Sequence, residues 1–140
     1  MRGKLLILAQ VCFLVGGLAL VGCKKSNEPA AVDPHSPKGI MKVLQQQGRL
    51  LNDALARQDF KYIHDYAYYF TGLTQALYSA LDEENRQKFK APLEELVKIG
   101  NALDHSAGRR HAEATTASME RLQVVLKELD KEFQTIKQGS

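Results

Sequence analysis

The chain is poor in cysteine and proline, with two and four among 140 residues, and it has no tryptophan. Neither cysteine stands in a C-x-x-C-H sequence, which excludes covalent haem attachment of that type. No G-x-S-x-G, no H-E-x-x-H and no glycine-rich phosphate loop occurs, so none of those catalytic signatures is present. An excess of one charge sign is lacking too, with 19 basic against 16 acidic side chains. At 44% hydrophobic and 25% charged residues, the chain is no disordered acidic tail, collagen-like repeat or polytopic membrane protein. Its length suits one domain and is too short for two. The sequence reads as that of a non-enzymatic protein.

What is present is unevenly spread. Arg2 and Lys4 open a short positive start, and residues 5–20 are apolar apart from Gln10 and Gly16-Gly17. This run is shorter than a comfortable transmembrane span and gives way to polar sequence. That is the pattern of a cleaved export signal over residues 1–22. It closes on Leu20-Val21-Gly22-Cys23, which resembles the lipobox of bacterial lipoproteins; a secretory signal with a chance cysteine is the alternative. The resemblance implies that Cys23 becomes the acylated first residue of the mature chain. Multiple acyl chains attach stably, because each buried methylene contributes about 0.8 kcal/mol and one chain alone binds only marginally.

Further consequences follow from that resemblance. Cys12 leaves with the signal and Cys23 is consumed by lipid, so no thiol remains for a disulfide, a nucleophile or a zinc–thiolate site. In that family an aspartate after the cysteine favours inner-membrane retention. Lys24 stands there instead, which points to the outer membrane, facing the periplasm, in a cell with two membranes. Without Arg2 and Lys4 the balance is 17 basic to 16 acidic side chains. Such a near-neutral chain offers no electrostatic case for nucleic acid.

Residues 23–35 hold the modified cysteine and a polar stretch with Pro29 and Pro34, which reads as a flexible tether. Beyond Pro37 only Pro92 remains, and no strand-like alternation occurs. Ser36 as N-cap with Pro37 in the first turn starts a helix whose apolar stripe is Met41, Leu44, Gly48, Leu51 and Leu55. Asp59 caps a second, with Phe60, Ile63, Ala67, Phe70, Thr74, Leu77 and Leu81 on its stripe. Asp82, followed by Glu83 and Glu84, caps a third over Phe89, Leu93, Leu96, Gly100 and Leu103, in which Pro92 marks either a kink or the true start. Gly108 is a natural stop. The fourth stripe is Ala112, Met119, Leu122, Leu126, Leu129, Phe133 and Ile136. Spacings of three and four with short connections predict an all-α fold, an antiparallel up-down-up-down four-helix bundle over residues 36–140.

That topology gives the histidines a meaning. His35 belongs to the tether, whereas His64 lies early in the second helix, His105 late in the third and His111 at the start of the fourth. In the predicted bundle those three places share one end, together with Asp59, Asp65, Asp104 and Glu113. His64 follows Ile63 and His111 precedes Ala112, so both are expected to border the core. Imidazole and carboxylate donors suit copper, zinc or nickel. The candidate metal site is His64, His105 and His111, with Asp104 or Asp65 as a fourth or outer group. The competing reading has His105 interacting with the helix dipole and the other rings solvated or hydrogen-bonded at the rim.

The second helix also carries all five tyrosines, Tyr62, Tyr66, Tyr68, Tyr69 and Tyr78. Helical spacing sets Tyr62, Tyr66 and Tyr69 as an extension of the buried face, with phenolic oxygens reaching water, and points Tyr68 elsewhere. The functional alternative is a partner-binding patch of Tyr68, Tyr62 and Tyr69, since tyrosine is enriched at interfaces. Met41 and Met119 sit on core stripes and oppose no histidine across a haem plane, so haem is not expected.

Residues 59–67, Asp-Phe-Lys-Tyr-Ile-His-Asp-Tyr-Ala, and Leu103-Asp104-His105 before Gly108 resemble the small periplasmic four-helix-bundle proteins that include metal-binding and cytochrome-like members. The sequence thus raises two expectations. The first is a lipid-anchored envelope protein whose bundle binds a divalent transition metal in metal homeostasis. The second is an accessory lipoprotein that holds another envelope protein through its second helix.

Overall fold

Four α-helices follow one another in the computed structural model, which describes residues 33–136: α1 (Pro37–Ala56), α2 (Phe60–Ala80), α3 (Glu83–Gly108) and α4 (Ala112–Phe133). The expected leader at 1–22, the lipobox at 20–23 and the tether up to residue 32 lie outside the described residues.

Each helix starts where a side chain satisfies its orphan amides. The Ser36 hydroxyl accepts the Gly39 N–H at 3.0 Å while donating to the Asp33 carbonyl at 2.6 Å. Asp59 accepts from Tyr62 N–H at 3.0 Å, and Asp82 from Asn85 N–H at 2.8 Å. Those Asn85 hydrogen bonds, from backbone and side chain, hold the Asp82 carboxyl below the usual carboxylate range. Helix α3 begins at Glu83 and runs on through Pro92. The ring removes the N–H that the Lys88 carbonyl would otherwise receive, without ending the helix.

The two turns at one pole are built alike. Gln58 N–H donates to Leu55 O and Asp59 N–H to Ala54 O, both at 2.9 Å. Arg110 N–H donates to Ala107 O and His111 N–H to Ser106 O, again both at 2.9 Å. Both are Schellman closures, which need a left-handed residue after the cap. Gln58 and Arg110 supply it, with φ of 56° and 54°. A side chain there costs roughly 1–2 kcal/mol relative to right-handed backbone, a cost glycine escapes. Arg110→Gly is therefore expected to stabilise the fold by about 0.5–1 kcal/mol, part of the gain being offset by a more flexible unfolded chain. Urea denaturation measures it. At the opposite pole Arg86 clasps the end of α2, donating to Leu81 O at 2.9 Å and Tyr78 O at 3.3 Å while pairing with Glu83 at 3.0 Å.

Packing follows a ring: α1 on α2, α2 on α3, α3 on α4, and α4 back on α1. This is the predicted four-helix bundle with antiparallel neighbours. The α2–α3 seam is the most extensive and the α1–α4 seam the least. Leu44, Leu51, Ile63, Phe70, Leu77, Phe89, Leu96, Leu103, Leu122 and Leu129 form the buried centre. Glycines set the closest approaches: a Cβ on Gly48 would strike Leu126, and one on Gly100 would strike Thr71 Oγ1.

Two expectations change. Ala112 is exposed, and Thr115 takes its place in the core. His111 caps α4, and Ala112 and Glu113 in the first turn of that helix are exposed. The Thr115 hydroxyl lies 2.9 Å from His111 O and 3.0 Å from Ser106 Oγ, which ties α4 to α3 just inside the turn. Tyr66 and Tyr69, expected on the buried face, are also exposed.

Candidate functional site

The pole closed by the 57–59 and 109–111 turns carries His64, His105 and His111, as the topology requires. His64 is joined to α3: its Nδ1 lies 2.8 Å from Asp104 Oδ1 and 3.1 Å from Asp104 O. Both partners are oxygen acceptors, so Nδ1 carries a proton, and in the neutral ring Nε2 is the acceptor nitrogen. Gly108 makes the seat for this ring, since a Cβ there would lie 3.1 Å from His64 Nδ1. The pair is half in water, with side chains 49% and 44% exposed. Asp104 thus acts on His64 as an orienting carboxylate.

The remaining members are engaged elsewhere. His111 is the N-cap of α4, its Nδ1 accepting the Ala114 N–H at 3.3 Å. His105 is exposed in the last turn of α3, where the helix dipole favours a cation. Asp65 pairs with Lys61, four residues back on its own helix, and that hydrogen bond lowers its pKa. Among the described residues, no three His, Cys, Asp or Glu side chains come together as a set that could hold a metal ion. The structure brings together His64 and Asp104 and leaves His105, His111 and Asp65 apart from them as ligands. Gly108 could have been found as a seat: it lies four residues after Asp104, on the same face of α3.

A second candidate lies on α2. Tyr66, Tyr68 and Tyr69 are 41%, 81% and 50% exposed, and they make up three of the five large hydrophobic side chains exposed among the described residues. Tyr62, half-buried against the core, stacks on Tyr66 with ring centroids 4.2 Å apart and planes inclined by 16°. Counting outward from the 57–59 turn sets Leu50 of α1, 39% exposed, level with Tyr66. The stack holds Tyr66 in one orientation, which lowers the rotamer entropy a contact would have to overcome. Tyrosine supplies broad contact area with a polar tip.

Among the described residues no helix is long and apolar enough to cross a membrane. No family model, curated protein or solved structure matches the chain.

Proposed function

We propose that this protein is a non-enzymatic, lipid-anchored accessory protein of the cell envelope that holds another envelope protein against the exposed tyrosines of α2. The observation that carries this reading is the exposure of Tyr66, Tyr68 and Tyr69 on one stretch of a helix whose other side is fully packed. Interface anchors are enriched in exposed aromatic side chains of this kind. The lipobox at 20–23 supports the anchor and with it the compartment. A transition-metal site is the second reading, favoured by the His64–Asp104 pair, because carboxylates orient metal-bound histidines in this way.

One set of measurements separates the readings. A photo-crosslinking residue replacing Tyr68 in intact cells is expected to give a defined adduct with an envelope protein. Tyr66→Ser with Tyr69→Ser should reduce that adduct at least tenfold while circular dichroism stays helical. Metabolic palmitate labelling should be lost with Cys23→Ser, together with membrane fractionation. Adducts that persist undiminished in the serine variants would defeat the partner reading. Stoichiometric copper, zinc or nickel in the purified chain, lost with His64→Ala, would establish the metal reading in its place.

A further inference from the structure

The α1–α4 seam closes where Gly48 meets Leu126 and opens toward the pole at which the described chain begins and ends. There a cleft of about 530 Å³ lies between the first turns of α1 and the last of α4. Its floor is apolar, with Met41 and Phe133, and Lys38 and Lys42 stand on its α1 side, one helical turn apart. A smaller extension of about 250 Å³ continues along the seam and adds Arg49 and Lys127. Among the described residues that line these spaces the one carboxylate is that of Asp130, which already accepts from Gln134 Nε2 at 3.3 Å. None of the four cations forms an ion pair among the described residues.

The chain outside the cleft says what lies near it. Nine residues separate Cys23 from Asp33, so the start of α1 at Pro37 lies at most about 50 Å from the acylated residue however that segment runs. A cleft with an apolar floor and a cationic rim, tied that close to a bilayer, is complementary to an anionic amphiphile. Its volume falls within the range of small-molecule sites, roughly 300–1,000 Å³.

We propose that this cleft binds an anionic phospholipid of the membrane that Cys23 enters, the phosphate between Lys38 and Lys42 and an acyl chain along Met41 and Phe133. The proposal rests on the lipid-anchor reading for the proximity of the bilayer, and on the cleft itself for the chemistry. Bound lipid would stand the bundle on the pole where α1 begins and α4 ends, with Tyr66, Tyr68 and Tyr69 in the half of α2 nearer the opposite pole.

The absence of tryptophan allows a single reporter. The full chain carrying Ile136→Trp at the cleft rim is reconstituted into vesicles whose brominated acyl chains quench indole fluorescence on contact. Brominated phosphatidylglycerol should quench at least threefold more than brominated phosphatidylcholine, and Lys38→Glu with Lys42→Glu should erase the difference. Both lysines are exposed, so their reversal leaves the core intact. Equal quenching by the two lipids, or a preference that survives the charge reversals, overturns the proposal. Palmitate labelling of the same preparation keeps the anchor separate. An acylated Cys23 with no preference for phosphatidylglycerol defeats the cleft and spares the anchor. An unacylated chain still quenched by added phosphatidylglycerol vesicles does the reverse.

Discussion

Phe89→Ala is expected to lower the unfolding free energy by about 3–5 kcal/mol, the range for truncating a fully buried aromatic side chain. Phe89 has no exposed surface, and its ring packs at 5.8 Å and 48° on that of Phe133. It thereby fixes the last turn of α4 to α3, next to the cleft. A single domain is stable by about 5–15 kcal/mol, so the loss is a large fraction of the whole. Urea denaturation followed by circular dichroism measures it. A change below about 1 kcal/mol would mean that this end of α4 contributes little to the cooperative core. The alanine variant should also weaken any function of the neighbouring cleft, because Phe133 forms its floor.

Gly100→Ala is expected to destabilise by about 1–3 kcal/mol, against the usual helical preference for alanine. The reason is the approach of α2: the added methyl would overlap Thr71 Oγ1 and lie 3.5 Å from Ala67 O and 3.6 Å from Phe70 Cδ1. Thr71 is buried and spends its hydroxyl on Ala67 O at 3.1 Å, so rotating it away leaves that oxygen atom without a good place. Removing the hydroxyl should therefore rescue the fold. Thr71→Ala combined with Gly100→Ala is expected to recover at least half of the loss, a coupling within the 0.5–3 kcal/mol typical of touching residues. Gly72 is the internal control. A Cβ there meets nothing within 4 Å, and Gly72→Ala should gain about 1 kcal/mol.

Helix starts were legible because capping is local. Ser36, Asp59 and Asp82 lie within three residues of the amides they accept, and no other part of the chain alters that geometry. The stripes were legible for the same reason, since periodicity alone places Leu44, Phe70, Leu96 and Leu122 inward. What escaped depends on the facing helix. Ile99, Val125 and Thr115 are buried because a neighbour covers the flank on which they sit, and a stripe drawn on one helix shows no neighbours. The approaches at Gly48 and Gly100 belong to this class, fixed by the register between two helices.

At the histidine pole the topology placed three imidazoles at one end, but not the direction of each ring. His111 turned to its own amides because capping a helix start is the nearest available bond. His64 had a carboxylate within reach on α3 and a glycine beneath it. Tyr66 and Tyr69 share their side of α2 with Tyr62 and Leu73, which pack against the core, so helical period by itself does not separate the exposed rings from the half-buried ones.

Three of the four seams join helices consecutive in the chain, and only α1 with α4 brings remote stretches together. Hairpins with such local partners form quickly, whereas joining the two ends carries the largest loop-closure entropy. The last staves of this barrel to meet are thus its outermost, and under thermal fluctuation they are the first to part. Any molecule lodged between them would act as a latch, strengthening the weakest joint of the scaffold from outside.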